Sequence, residues 1–172
     1  YPGNGCSIGG ASAKLAAIFT PALPSIQGKL STIITTIFGG KSMSKCFSIV
    51  IPVFNEDSNL GPLVSDIYSA LSSYRESDFE IIIVDDASTD RSLKRLKLLA
   101  NENDNLTVIS FKKRSGQTAA MMAGAKEATG DLTVFMDGDR QNDPKDIPKL
   151  IDTISEDVDV VSGWRKNRKD SF

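Results

Sequence analysis

Histidine is absent from all 172 residues. Without imidazole, neither Ser-His-Asp nor Cys-His nucleophilic chemistry is available, nor any histidine-ligated metal centre. Acid–base and metal work must fall to carboxylates, amides, Lys, Arg or Tyr. The only cysteines are Cys6 and Cys46, far apart and without a C-x-x-C pair, which indicates neither a disulfide framework nor a zinc site. No apolar run approaches the roughly 18 residues a membrane span needs. Acids are missing from residues 1–54, which hold four Lys and no Arg; the remaining 16 bases and all 22 acids follow. That step from +4 to −6 marks a boundary. A net charge of −2, with no aromatic-interleaved basic stripe before the last ten residues, argues against nucleic acid.

What is present is ordinary globular composition, 40% hydrophobic and 24% charged, enough for one domain plus an appendage. Leu30, Ile33, Ile34, Ile37 and Phe38 recur at helical spacing before Gly39-Gly40. Three readings of residues 1–42 stay open: an acid-poor targeting peptide, an interfacial amphipathic helix, or sequence outside the folded protein. The domain is expected from Met43, giving a flexible or incidental leader over 1–42 and a folded domain over 43–172. The chain neither begins with Met nor ends in a cap, and reads as a fragment at both ends.

From Cys46 the pattern becomes regular. Short apolar, β-branched runs at residues 47–51, 79–84, 106–111, 132–136 and 158–161 read as strands, the first ended by Pro52. Between them lie helical patterns: Leu60, Leu63, Val64, Ile67, Leu71 and Tyr74 on one face; Leu93, Leu96, Leu99 and Ala100 after Ser88 and Asp90; an Ala-, Met- and Gly-rich stretch over 117–128; and Ile147, Leu150, Ile151 and Ile154 within 143–154. Continuous apolar strands alternating with amphipathic helices predict an α/β fold, a parallel sheet covered on both faces, with ligands beyond the carboxyl ends of its strands.

The strand ends are rich in acids. The fourth runs into Asp137-Gly-Asp139-Arg-Gln141-Asn-Asp143-Pro144. In an extended segment Asp137 and Asp139 share a side, Gly138 lets the backbone approach a ligand, and Gln141 adds an amide oxygen. Hard oxygen donors suit Mg2+ or Mn2+ carrying a diphosphate. A plain acidic helix start is the alternative, since Asp143-Pro144 suits the first turn. Glu56, Asp57, Ser88 and Asp90 have the same capping alternative. Of Asp85 and Asp86, one is expected to enter the cleft and hold base or ribose hydroxyls. Arg114-Ser-Gly116-Gln117 precedes a helix, where backbone amides favour phosphate, although Lys112-Lys113-Arg114 could equally be a solvated basic run. Arg165, Lys166, Arg168 and Lys169 beside Trp164 read as an arm for anionic groups.

Together, Ser48-Ile-Val-Ile-Pro-Val-Phe-Asn-Glu56, Glu80-Ile-Ile-Ile-Val-Asp-Asp-Ala-Ser-Thr-Asp90, Arg114-Ser-Gly-Gln-Thr-Ala, Met136-Asp-Gly-Asp-Arg-Gln-Asn-Asp-Pro144 and the segment from Val160 to Asp170 resemble the family-2 inverting glycosyltransferases of GT-A fold. Within them the likeness is closest to the polyprenyl-phosphate glycosyltransferases. The resemblance implies a Rossmann-like three-layer sandwich, mostly parallel and incomplete at the C-terminus. It implies that Pro52, Phe54, Glu56, Asp85, Asp86, Arg114 and Gly116 serve the nucleotide, that Asp137, Asp139 and Gln141 hold the metal, and that Arg165 and Arg168 close over the donor and meet the acceptor phosphate. The implied partners are a UDP- or GDP-sugar and a polyprenyl phosphate. Location is then the cytoplasmic face of a membrane, reached through later sequence, with the fragment itself soluble and not expected to turn over alone. Arg140 departs from the family pattern, where a small or apolar residue is usual, and could alter sugar or metal preference. Alternatives are a family-2 transferase acting on a polysaccharide or other glycan, and a non-catalytic nucleotide-sugar-binding domain.

Overall fold

The computed structural model describes residues 46–155 and 158–163, and the backbone alone of residues 14–18. Its strands are β1 (Lys14–Ile18), β2 (Phe47–Val53), β3 (Phe79–Asp85), β4 (Leu106–Ser110) and β5 (Leu132–Met136); its helices are α1 (Asp57–Ala70), α2 (Ser92–Glu102), α3 (Gln117–Glu127) and α4 (Asp146–Thr153). All strand pairings in the sheet are parallel, in the order β1-β5-β2-β3-β4. The backbone of Lys14–Ile18 runs along the outer edge of β5. The expected helix around residues 30–38 lies outside the described residues.

The period of two sorts the strands' side chains onto two faces. Phe47, Ile49, Ile51 and Val53 of β2 join Ile81 and Ile83 of β3 beneath α1, α2 and α4, where Leu60, Leu63, Ile67, Leu96 and Ile147 complete one core. Val50, Ile82, Val84 and Phe135 form a second core with Ala120 of α3 on the opposite face. Strands buried on both sides are why these segments read as unbroken apolar runs. The small residues of α3 let it pack closely on the sheet: a Cβ on Gly124 would stand 2.3 Å from Val50 Cγ1.

Three expectations need correction. Pro52 does not end its strand but lies within β2. The Val53 carbonyl accepts the Asp86 N–H at 2.9 Å, so Pro52 presents its ring nitrogen to the other side, where pairing with β5 has already stopped at Val50 and no donor is needed. Residues 158–161 form no fifth strand; Val158 makes an isolated antiparallel bridge to Ser155. Cys46 is disulfide-bonded, against the reading of two unconnected cysteines, and its partner lies outside the described residues.

Candidate nucleotide and metal site

Register brings the strand ends to one rim. Val53 is level with Asp85 and Asp85 with Ser110, while Val50 is level with Phe135, so Asp137 emerges beside Pro52. The carboxylates at the ends of β3 and β5 therefore share one edge of the sheet.

Their repulsion is relieved chiefly by hydrogen-bond donors of the protein, most of them backbone N–H groups. Asp85, 1% exposed, accepts the Ser88 N–H at 3.2 Å and the Ser110 hydroxyl at 3.1 Å. Asp86, 4% exposed, accepts the N–H groups of Ser115 at 2.6 Å and Gly116 at 2.8 Å. Adjacent acids on an extended strand point to opposite faces, which sends Asp86 alone toward α3. The amides expected to meet phosphate at the entry to α3 are thus held by a carboxylate of the protein itself.

Asp90 is a cap, accepting the Ser92 N–H at 2.8 Å and the Asp57 N–H at 3.3 Å. Desolvation opposes its ionisation, yet the hydrogen bonds from Ser92 and Asp57 outweigh it and hold the carboxyl below its ordinary range. Asn55, in the left-handed region at φ 58°, knits the ends of β2 and β3 by donating its N–H to Ser88 and accepting the Thr89 N–H. Glu56 accepts the Asn59 amide at 2.6 Å, and its own N–H donates to Ser92 Oγ at 2.8 Å. Glu56 stands at the N-cap position of α1, but its carboxylate bonds the Asn59 side-chain amide and caps no backbone N–H.

Phe54 and Arg114 meet across the rim, the guanidinium carbon 3.8 Å from the ring centroid, a cation–π contact. The basic run is exposed, as a solvated run would be, but Arg114 has this defined partner. Gln117, which the sequence reading left without a role, donates its Nε2 amide to Asp137 Oδ1 at 2.7 Å. Its signal was available: it opens the helix on whose side of the sheet Asp137 falls.

The Asp137–Asp139 segment is not extended. The chain turns at Gly138 and Asp139, the Gln141 N–H donates to Asp139 Oδ1 at 3.0 Å, and Arg140 adopts φ 61°. Gly138 is required by the fold as well: a Cβ there would lie 2.6 Å from Val53 Cγ1 and 3.3 Å from the Pro52 carbonyl oxygen. Arg140 pairs with Asp66 of α1 at 2.9 Å, which accounts for a long cation in this turn. Asp143 bonds the Lys145 N–H at 3.0 Å, so α4 starts after it at Asp146. Arg165 and Arg168 lie outside the described residues.

Among the described residues no group of three or more His, Cys, Asp or Glu could hold a metal as a cage. Two carboxylates, Asp137 nearly buried and Asp139 partly exposed, with the Gln141 amide nearby in sequence, fit instead the limited protein ligation of Mg2+ or Mn2+ bound together with substrate phosphates.

Residues 48–172 match the family described as Glycosyl transferase family 2. The chain is 46% identical over 127 residues to dodecaprenyl-phosphate galacturonate synthase of Rhizobium johnstonii, covering 73% of this chain and 37% of that protein. It is 42% identical over 126 residues to undecaprenyl-phosphate 4-deoxy-4-formamido-L-arabinose transferase of Proteus mirabilis, covering 73% and 38%. It therefore spans under two fifths of these curated relatives. Among solved structures, mannosyltransferase PcManGT from Pyrobaculum calidifontis, in complex with GDP-Man and Mn2+, aligns with a TM-score of 0.55 at 24% identity, over 61% of this chain and 30% of that one. TarS of S. aureus with UDP-GlcNAc aligns with a TM-score of 0.51 at 28% identity, over 62% and 31%. Both the architecture and the family match agree with the GT-A expectation, and the chain belongs to glycosyl transferase family 2.

Proposed function

We propose that the protein is a glycosyltransferase that moves a sugar from a nucleoside diphosphate to a polyprenyl phosphate, with inversion and with a divalent metal. The observation that carries this reading is the juxtaposition, at one sheet rim, of the Asp137–Asp139 turn with the wall made by Phe54, Arg114 and the Asp86-bound loop. The relatives' names suggest the acceptor class: each names a polyprenyl phosphate together with a sugar.

Asp137, Asp139 and Gln141 would hold Mg2+ or Mn2+, which supplies charge neutralisation for the departing diphosphate. Gln117 orients the Asp137 carboxylate. Pro52, Phe54, Glu56, Asp85, Asp86, Arg114 and Gly116 form or support the nucleotide cleft, and Arg165 and Arg168 belong to the arm that meets the phosphates. In the reaction an acceptor phosphate oxygen attacks the anomeric carbon from the face opposite the leaving group. The bond from that carbon to the diphosphate oxygen breaks, and its electron pair leaves with the nucleotide. The acceptor is already ionised, so no proton has to be removed and no histidine is needed. Stabilising the leaving group is the main task, which suits a site built from cations and oriented dipoles.

Among the described residues no helix is long and apolar enough to cross a membrane. Association with the cytoplasmic face is part of the proposal because the acceptor is a lipid. The test is titration of the chain with UDP- and GDP-sugars, with Mn2+ and without it. Binding should require the metal and weaken at least about tenfold, or about 1.4 kcal/mol, in Asp139→Ala. Undiminished, metal-independent binding by that variant would remove the assigned role.

A further inference from the structure

Asp86 holds more of the cleft together than a single nucleotide contact requires. Its buried carboxylate accepts both the Ser115 and the Gly116 N–H, at 2.6 and 2.8 Å, charge-assisted bonds stronger than neutral ones. Those amides belong to a span of four residues whose two ends touch different halves of the site. At one end Arg114 lies over Phe54, 3.8 Å from its centroid. At the other, Gln117 donates to Asp137 at 2.7 Å. Gly116 sits between them at φ +91°, a conformation available to glycine and strained for other residues. One acid thus fixes a left-handed kink, and the kink sets a cation on an aromatic wall and an amide on a metal-site carboxylate.

We propose that Asp86 is a positioning residue for the donor site, clamping the Ser115–Gly116 backbone so that Arg114 and Gln117 are delivered together to the nucleotide wall and to Asp137. The donor-site part rests on the glycosyltransferase reading. The clamp itself does not, because it exists in the free protein. Asp86 then acts on the ligand through Arg114 and Gln117, and its contribution disappears when they are removed.

Asp86→Asn keeps the shape and one carbonyl acceptor but loses the charge and one strong acceptor. Amide hydrogen exchange at Ser115 and Gly116 in the free protein should accelerate about tenfold or more at one of the two sites. GDP or UDP affinity in the presence of Mn2+ should fall about tenfold in the otherwise wild-type chain. In an Arg114→Ala/Gln117→Ala background the same change should cost less than about twofold, the non-additivity expected of residues acting as one unit. Gly116→Ala, which disturbs the kink while leaving Asp86 in place, should reproduce the loss and keeps the idea testable if Asp86→Asn folds poorly. The proposal is overturned by unchanged amide exchange, or by a full further loss in the double-variant background, which would mean that Asp86 touches the nucleotide directly. Should the wild-type chain bind no nucleoside diphosphate, the exchange readout decides alone: protection lost in Asp86→Asn upholds the clamp while the donor-site reading falls.

Discussion

Gly138 shows how one residue can be legible and still have a second reason to be there. Its position between two acids marked a close backbone approach, but the structure puts the end of β2 against it, with Val53 Cγ1 2.6 Å from where a Cβ would be. Gly138→Ala should therefore destabilise the protein by about 1–3 kcal/mol, the usual cost of overpacking. It should also weaken Mn2+ binding by moving both flanking carboxylates. Denaturant unfolding and metal titration of the same variant check both halves, and unchanged stability would remove the packing claim. Tyr68 lies between the core positions Ile67 and Leu71 and packs against that core. It donates to Asn105 Oδ1, and burial first, then the charges of Glu76 and Asp104, push its phenol up to about 12 from 10.0. A value raised in the folded state favours the neutral phenol, so the stability it lends is full below about pH 10 and lost as pH rises toward about 12. Tyr68→Phe cannot titrate, so its denaturation midpoint should fall less steeply over that window than the wild type's. Parallel curves would refute the assignment. What the sequence could not show at this level was which acids are used up internally, because Asp85, Asp86 and Asp90 are distinguished only by the amides that fold back onto them.

The elements themselves were largely readable, because strands buried on both faces and helices with one apolar face leave strong periodic signatures. The four strands after the leader and the four helices fall where the pattern put them. The misses have local causes. Pro52 reads as a terminator unless it is known that pairing with its neighbour strand stops two residues earlier, and residues 158–161, apolar but for Asp159, find no partner strand among the described residues. α3 carries the sharpest test of packing. Among the described helices it alone covers the second core, and it approaches the sheet at Gly124, where an added Cβ would be 2.3 Å from Val50 Cγ1 and 3.2 Å from Val84 Cγ2. Gly124→Ala should cost about 1–3 kcal/mol despite the better helix propensity of alanine. Combined with Val50→Ala, which empties the space the new methyl needs, the pair should cost less than the sum of the single changes by more than about 0.5 kcal/mol. Simple additivity in denaturant unfolding would show that α3 sits further from the sheet.

Across the whole molecule, charge poses the question that a diphosphate must answer. Residues 55–172 carry all 22 acids against 16 bases, and the rim gathers Asp85, Asp86, Asp137 and Asp139, while Arg114 lies over Phe54 and Arg140 is paired with Asp66. A ligand with two or three negative charges gains nothing from that field unless a cation intervenes. Two sources are available in principle: a divalent ion at Asp137 and Asp139, or the Arg165–Lys169 run, whose cations act as a screened, long-range attraction. They separate experimentally, because only the first is removed by chelation and only the diphosphate, not the nucleoside, depends on either. If the metal site carries the phosphate, EDTA should weaken binding of UDP or GDP at least about tenfold. It should leave the bare nucleoside, held by the Phe54 wall, within about twofold, and added Mn2+ should restore the loss. Equal losses for nucleotide and nucleoside would make the ion a general stabiliser of the fold. Retained nucleotide affinity under EDTA, falling steeply with salt, would transfer the phosphate to the arginine-rich segment and leave Asp137 and Asp139 as an acidic turn before α4.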